Sequence, residues 1–368
     1  MSKAAELAAL IGSQSALSHR NILINGAMQV AQRGTSVSGL GGSNDVFAAL
    51  DRIKYFVGNT AGRFTAEQVA VTDLPGFANA MKLSCTTADT SIAADEFLGF
   101  KHMIEGQDLQ QLKKGTSEAE STTLSFYVKG NAAAEYTVEI RDIDNDRINT
   151  QTFNVTTSWT RVEMTFAPDT TGTYDDDNAM SIQMSWWLHA GSTYSGGTFA
   201  SNSWASRVQG NRVKSSNSSF FDSTSRTLFV TGIQYEVGEQ ATPFEHRSFG
   251  DELAACQRYY FQETKPIYGV FTVGRVFNSK TPQFGYSFPV PMRTLPSISN
   301  VGSGCGVWFS SGSETQLSNP SFYQDNTSGT DLIKGSLVFS ANSNLSDNNG
   351  VALCAHAADS GLAFSAEL

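Results

Sequence analysis

From Asn21 onward the chain is written in short runs whose apolar residues recur at every second position, separated by clusters of Gly, Asn, Asp and Ser. That period puts alternate side chains on opposite faces of an extended strand, so it predicts half-buried antiparallel strands instead of helices. In TTLSFYVK, Leu124, Phe126 and Val128 face a core while Ser125, Tyr127 and Lys129 face outward. Tyr136, Val138 and Ile140 alternate with Thr137, Glu139 and Arg141, and Val162, Met164 and Phe166 with Glu163 and Thr165. In LFVTGIQYEV the same reading places Phe229, Ile233, Tyr235 and Val237 on one face, before a turn at Gly238. Many short strands joined by polar turns make an all-β sandwich or barrel.

The 368 residues exceed what one ordinary core organises, which predicts two domains. The stretch Lys3 to Ile11 carries Leu7, Leu10 and Ile11 at helical spacing. A helix this short needs a packing partner, in its own domain or on another chain. A second short helix is expected in GDELAACQRYYF, with Leu253, Cys256 and Tyr260 in line. Strands return after Lys265, and the terminal VALCAHAADSGLAFSAEL is apolar enough to pack. The expected division is therefore a 1–20 helix or attachment segment, a 21–245 sandwich, a 246–264 junction and a 265–368 β domain.

Several function classes are excluded as expectations. A formal charge of −10 is unsuited to a phosphate backbone, so no nucleic-acid partner is expected. No apolar run approaches the roughly 20 residues of a spanning helix, so no membrane insertion is expected, and MSKAAELAALIG lacks the order of a signal peptide. The four cysteines are too dispersed for a metal or redox pair and read as reduced, buried thiols of a chain made in a cytosol. The five histidines lack ligand spacing, and no nucleophile elbow or phosphate loop occurs. No catalytic residue, cofactor or metal is expected, and the chain reads as no enzyme. Asp175, Asp176 and Asp177 read as solvated turn residues, with weak calcium ligation or a catalytic pair as the alternatives.

The segment SIQMSWWLHA points to binding. Alternation assigns Trp186 to the core with Ile182, Met184 and Leu188, and Trp187 to the other face with Gln183, Ser185 and His189. An indole beside hydrogen-bonding groups suits a sugar, whose C–H face stacks while its hydroxyls take directional bonds. Tyr194 and Trp204, in the polar run from Ser192 to Ser219, extend the candidate set to Trp187, Gln183, His189, Tyr194 and Trp204. The alternative is that Trp187 packs beneath a long loop or against another subunit.

Taken in order, NILINGAMQVAQRGTS, Asp51-Arg52, TLSFYVKG, SWTRVEMTF and LFVTGIQYEVGEQATPFEHRSFGDELAACQRYY resemble the carbohydrate-binding-module-like tail fibre proteins of tailed phages. FPVPMRTLPSIS is similar to the entry of their C-terminal fibre domain. The resemblance spans roughly Asn21 to Pro296. It implies a jelly-roll sandwich followed by a smaller β domain, location on a virion, and a homotrimer that docks on other virion proteins through its N-terminal segment. The expected function is attachment to host surface polysaccharide; the alternative is a purely structural spacer or decoration without glycan binding. Ile53 stands where the family often has an aromatic residue.

Overall fold

In a computed structural model of the chain, residues 19–278, 280–309, 314–322, 334–343, 345 and 350–368 are described. The helix expected at Lys3–Ile11 lies outside them. The chain divides into two compact units, one running to Glu252 and including Leu368, the other Leu253–Glu367. The fold is all-β, a jelly-roll sandwich followed by a barrel. No helix among the described residues is long and apolar enough to cross a membrane.

The first unit holds β1 (Ser36–Phe47), β2 (Lys54–Ala70), β3 (Asn79–Thr87), β4 (Phe97–Glu105), β5 (Thr122–Gly130), β6 (Ala134–Asp142), β7 (Arg147–Val155), β8 (Thr160–Phe166), β9 (Met180–Ala190), β10 (Ala205–Ser206) and β11 (Thr227–Val237). These pair antiparallel in the order β10-β7-β6-β9-β4-β2-β3-β11-β5-β8, with β1 along β2. The long β2 divides this path into two layers. Its Lys54–Gly58 half pairs with β4 and its Arg63–Ala70 half with β3. The layers close on a shared apolar core, where Phe126 of β5 meets Trp186 of β9 at 5.9 Å and Phe153 of β7 at 5.1 Å. Phe100 stacks on Trp186 at 4.8 Å.

The period-two assignments hold for Leu124, Phe126, Val128, Tyr136, Val138 and Ile140, all in this core. Phe229 departs from its expected face. Leu228 and Val230 point inward, then a bulge between Thr231 and Gln234, with Gly232 at φ 64°, shifts the parity so that Ile233 and Tyr235 point inward. The inserted residue leaves Phe229 outside, against Lys129 and Trp159.

The phrases near the chain start act as backbone partners. Asn21 accepts from the amides of Leu23 and Tyr235 and donates to the Ile233 carbonyl. Asn25 spans the carbonyls of Val30 and Asp51. Arg52, buried, donates to the Met103 carbonyl at 2.8 Å. His102 Nε2 lies 3.0 Å from the Ile24 carbonyl, which can only accept, so Nε2 carries a hydrogen and donates there. Burial first, then the Arg52 charge, pushes its pKa down to about 3.

The second unit contains a three-stranded sheet, in the order β12 (Tyr260–Lys265), β20 (Ser360–Ser365) and β15 (Ser297–Val301). Its closed barrel runs β13 (Val270–Asn278), β14 (Thr281–Ser287), β18 (Lys334–Ala341), β17 (Glu314–Phe322), β16 (Cys305–Trp308) and β19 (Gly350–Ala355). Phe284, Leu337, Phe339, Leu353 and Phe364 are among its core residues. The short helix is Phe249–Gln257, and Tyr260, expected on it, instead begins β12. The stretch 246–264 thus holds a helix and most of a strand. All four cysteines are buried, and Cys85, Cys305 and Cys354 are free thiols. Burial pushes the thiols of Cys85 and Cys354 up to about 11 and that of Cys305 up to about 12, so they remain protonated and inert.

Candidate functional site

Strands β2, β4, β9 and β6 present one face to the core and the other to a cleft. Register sets the cleft floor. Asp45, Phe56, Gly99, Trp187 and Thr137 form one cross-strand row, and Lys54, Lys101, Ser185 and Glu139 the next. Gln183 and Arg141 are paired beyond them. Two glycines let the aromatic rings lie flat across neighbouring strands. A Cβ on Gly99 would stand 2.4 Å from the Phe56 ring, and one on Gly58 2.4 Å from the Phe97 ring.

The polar run after β9 forms the opposite wall. It begins with the short helix Ser192–Ser195 and returns across the floor, with the Val213 amide donating to the Tyr194 carbonyl. One buried carboxylate holds it down. Glu139 accepts two bonds from Arg212, Nε to Oε1 at 2.7 Å and Nη2 to Oε2 at 2.8 Å, and a third from the Trp187 indole N–H at 3.0 Å. The Arg212 guanidinium lies 4.7 Å above the Trp187 ring, which Phe56 and Tyr194 also contact at 5.1 and 5.3 Å. Trp187 is 2% exposed. Its indole is therefore the packed floor, covered by Arg212, and the open sugar platform expected of it is not there.

Above this floor is a cleft of about 500 Å³, lined by Phe56, Phe97, Trp187 and Tyr194 and by Asn44, Asp45, Asn59, Lys101, Arg141, Gln183, Gln209 and Arg212. Phe97 and Tyr194 are partly exposed and supply its open aromatic surface. Asp45 bridges Lys54 at 2.9 Å and Lys101 at 2.8 Å. Partial burial alone would raise its carboxyl, but the two ammonium groups outweigh this and hold it below the usual range. Burial pushes the Lys101 ammonium down, against the pull of Asp45.

Of the sequence-predicted residues, Trp187, Gln183 and Tyr194 come together here; His189 and Trp204 do not. His189 is buried, with Nδ1 2.8 Å from Ser219 Oγ, Nε2 3.3 Å from Glu96 and its ring against Phe221. The reason is a bulge. Gly99 pairs with Trp187 and Leu98 with His189, so Leu188 is an extra residue that breaks the alternation. Trp204 packs on the core beside Tyr174 and Tyr235 and donates its indole N–H to the Ala167 carbonyl at 2.8 Å. Asp175, Asp176 and Asp177 are exposed; Asp177 accepts from the Ala179 amide in a turn. Among the described residues no group of three or more His, Cys, Asp or Glu is placed to hold a metal.

Phe56, Phe97, Lys101, Arg141 and Arg212 were missed. Outward-facing Glu139 and Arg141 were visible as the polar half of β6, but nothing in the sequence ties Arg212 to Glu139 across 73 positions.

No family model matches the chain, and no curated protein matches it. Solved structures of carbohydrate-binding modules do. One, described as CBM4, is 15% identical, with 58% of this chain and 98% of the other covered and a TM-score of 0.30. The family 11 module from Clostridium thermocellum, in complex with a β-1,3-1,4-mixed-linked tetrasaccharide, is 15% identical, with 57% and 99% covered and a TM-score of 0.28. TmCBM61 in complex with β-1,4-galactotriose is 9% identical, with 60% and 100% covered and a TM-score of 0.29.

Proposed function

We propose that the first unit binds glycans through this cleft, and that the chain is a non-catalytic fibre component of a phage virion that attaches to host surface polysaccharide. The observation that carries the glycan reading is the cleft itself. The rings of Tyr194 and Phe97 are partly open to solvent beside the side chains of Asn44, Asn59, Gln183 and Gln209. A pyranose needs that combination of one apolar face and convergent hydrogen-bonding groups. The virion reading is supported by the order of sequence phrases from NILINGAMQV to ELAACQRYY. Assembly as a homotrimer is supported by apolar side chains exposed on the second unit, Ile267, Tyr268, Val270, Val273 and Phe277, which three copies would cover. Weak sugar contacts multiplied over copies then give useful avidity.

The test is binding of the assembled protein to intact host cells before and after their surface polysaccharide is stripped. Binding is expected to disappear on stripping, and Tyr194→Ala is expected to weaken it by about tenfold, the value of one lost aromatic contact of roughly 1.4 kcal/mol. Folded, assembled protein that binds neither preparation would favour a spacer without glycan binding. Binding unaffected by Tyr194→Ala would remove this cleft from the account.

A further inference from the structure

The charges around the cleft do not follow those of the chain. The protein carries a formal charge of −10, yet the side chains lining the cleft include three cations, Lys101, Arg141 and Arg212, against one carboxylate, Asp45. Partners beyond the lining reduce the excess without removing it. Arg212 is matched by buried Glu139 and drops out of the balance. Asp45 is shared between Lys101 and Lys54. Asp146 is likewise shared between Arg141 at 3.0 Å and Arg207 at 2.6 Å. At the opposite end Asp95, held by the Asn59 amide at 2.7 Å, supplies a further negative charge.

The cleft is thus polarised. Asp95 lies behind its Asn59 end, while at its Arg141–Gln183–Lys101 end the lining cations Lys101 and Arg141, with Lys54 and Arg207 behind them, share two carboxylates, Asp45 and Asp146. Resting on the glycan reading of this cleft, the geometry points to an acidic polysaccharide as the ligand class, one whose sugar carboxylate sits at the Arg141–Gln183 end while its ring faces Tyr194 and Phe97. Arg141 and Gln183 are direct cross-strand neighbours and both line the cleft, and the Gln183 amide, which gives one hydrogen to Ser185 Oγ at 3.1 Å, keeps a second for a ligand carboxylate beside the guanidinium. Asp146, being 52% exposed, gives up little by sharing Arg141 with a ligand.

The experiment is titration of the full-length protein with polygalacturonate, alginate, hyaluronate and polysialate, each beside its carboxyl-reduced, neutral form. At least one acidic polymer is expected to bind, with its reduced form at least about tenfold weaker, the value of one charge-assisted hydrogen bond. Arg141→Gln is expected to lose a similar factor and to flatten the weakening that added salt causes in the natural protein. Protein whose thermal unfolding is unchanged by the substitution makes that loss a property of the cleft. Equal binding of acidic and reduced polymers, or binding of reduced polymers alone, overturns the acidic-ligand inference and leaves the glycan reading standing. Failure to bind every polymer of both kinds overturns both.

Discussion

Glu139→Ala is expected to lower the stability of the first unit by about 3–5 kcal/mol, the cost of removing one partner of a buried ion pair. Glu139 is fully buried and serves both the Arg212 guanidinium and the Trp187 indole N–H, so alanine leaves a buried cation and a buried donor without their acceptor. Loss of the Arg212 anchor also releases the loop that carries Tyr194, so glycan binding should fall with stability. Glu139→Gln, which keeps an acceptor for the indole, is expected to cost less. Denaturant unfolding followed by tryptophan fluorescence reads this directly, because Trp159, Trp186, Trp187 and Trp204 are in the first unit and Trp308 in the second. A loss below about 1 kcal/mol, the range of an exposed ion pair, would contradict the anchoring role.

Acid is expected to act through His102. Its folded pKa is depressed to about 3 from an unfolded value of 6.5, so the unfolded chain takes up the proton first. The stabilisation from keeping this imidazole neutral is complete above pH 6.5 and is lost as pH falls toward 3, at a limiting rate of about 1.4 kcal/mol per pH unit. His189, whose pKa burial lowers despite the pull of Glu96, adds loss of the same sign. Measuring unfolding free energy from pH 7 to 4.5 should therefore show a steep decline, and His102→Gln, which can still donate to the Ile24 carbonyl, should make it shallower. Identical slopes for the two proteins would contradict the assignment.

The sequence made the strand periodicity readable because most of these strands bury one face and wet the other. TTLSFYVK and the Tyr136–Ile140 run are of that kind, and the structure places their alternate residues in the core. Readability failed where a single extra residue entered a strand. Bulges at Leu188 in β9 and around Gly232 in β11 moved His189 and Phe229 away from the faces that strict alternation assigned. Part of the cleft was readable for the same reason, since Trp187 and Gln183 share a face on one strand. Its anchoring was not. Arg212 lies in a polar run with no period, and its partner Glu139 looked like one more solvated strand residue, although the folded loop buries both.

The indole N–H groups report directly on whether this cleft receives sugar. The five tryptophans give five distinct signals in a selectively labelled sample. Adding an oligosaccharide released from the host surface polysaccharide is expected to move the Trp187 signal, whose indole forms the floor beneath Phe97, Tyr194 and Arg212, and to leave Trp159 and Trp308 in place. A shift at Trp159 or Trp308 with Trp187 unmoved would place the glycan elsewhere on the protein and contradict the account.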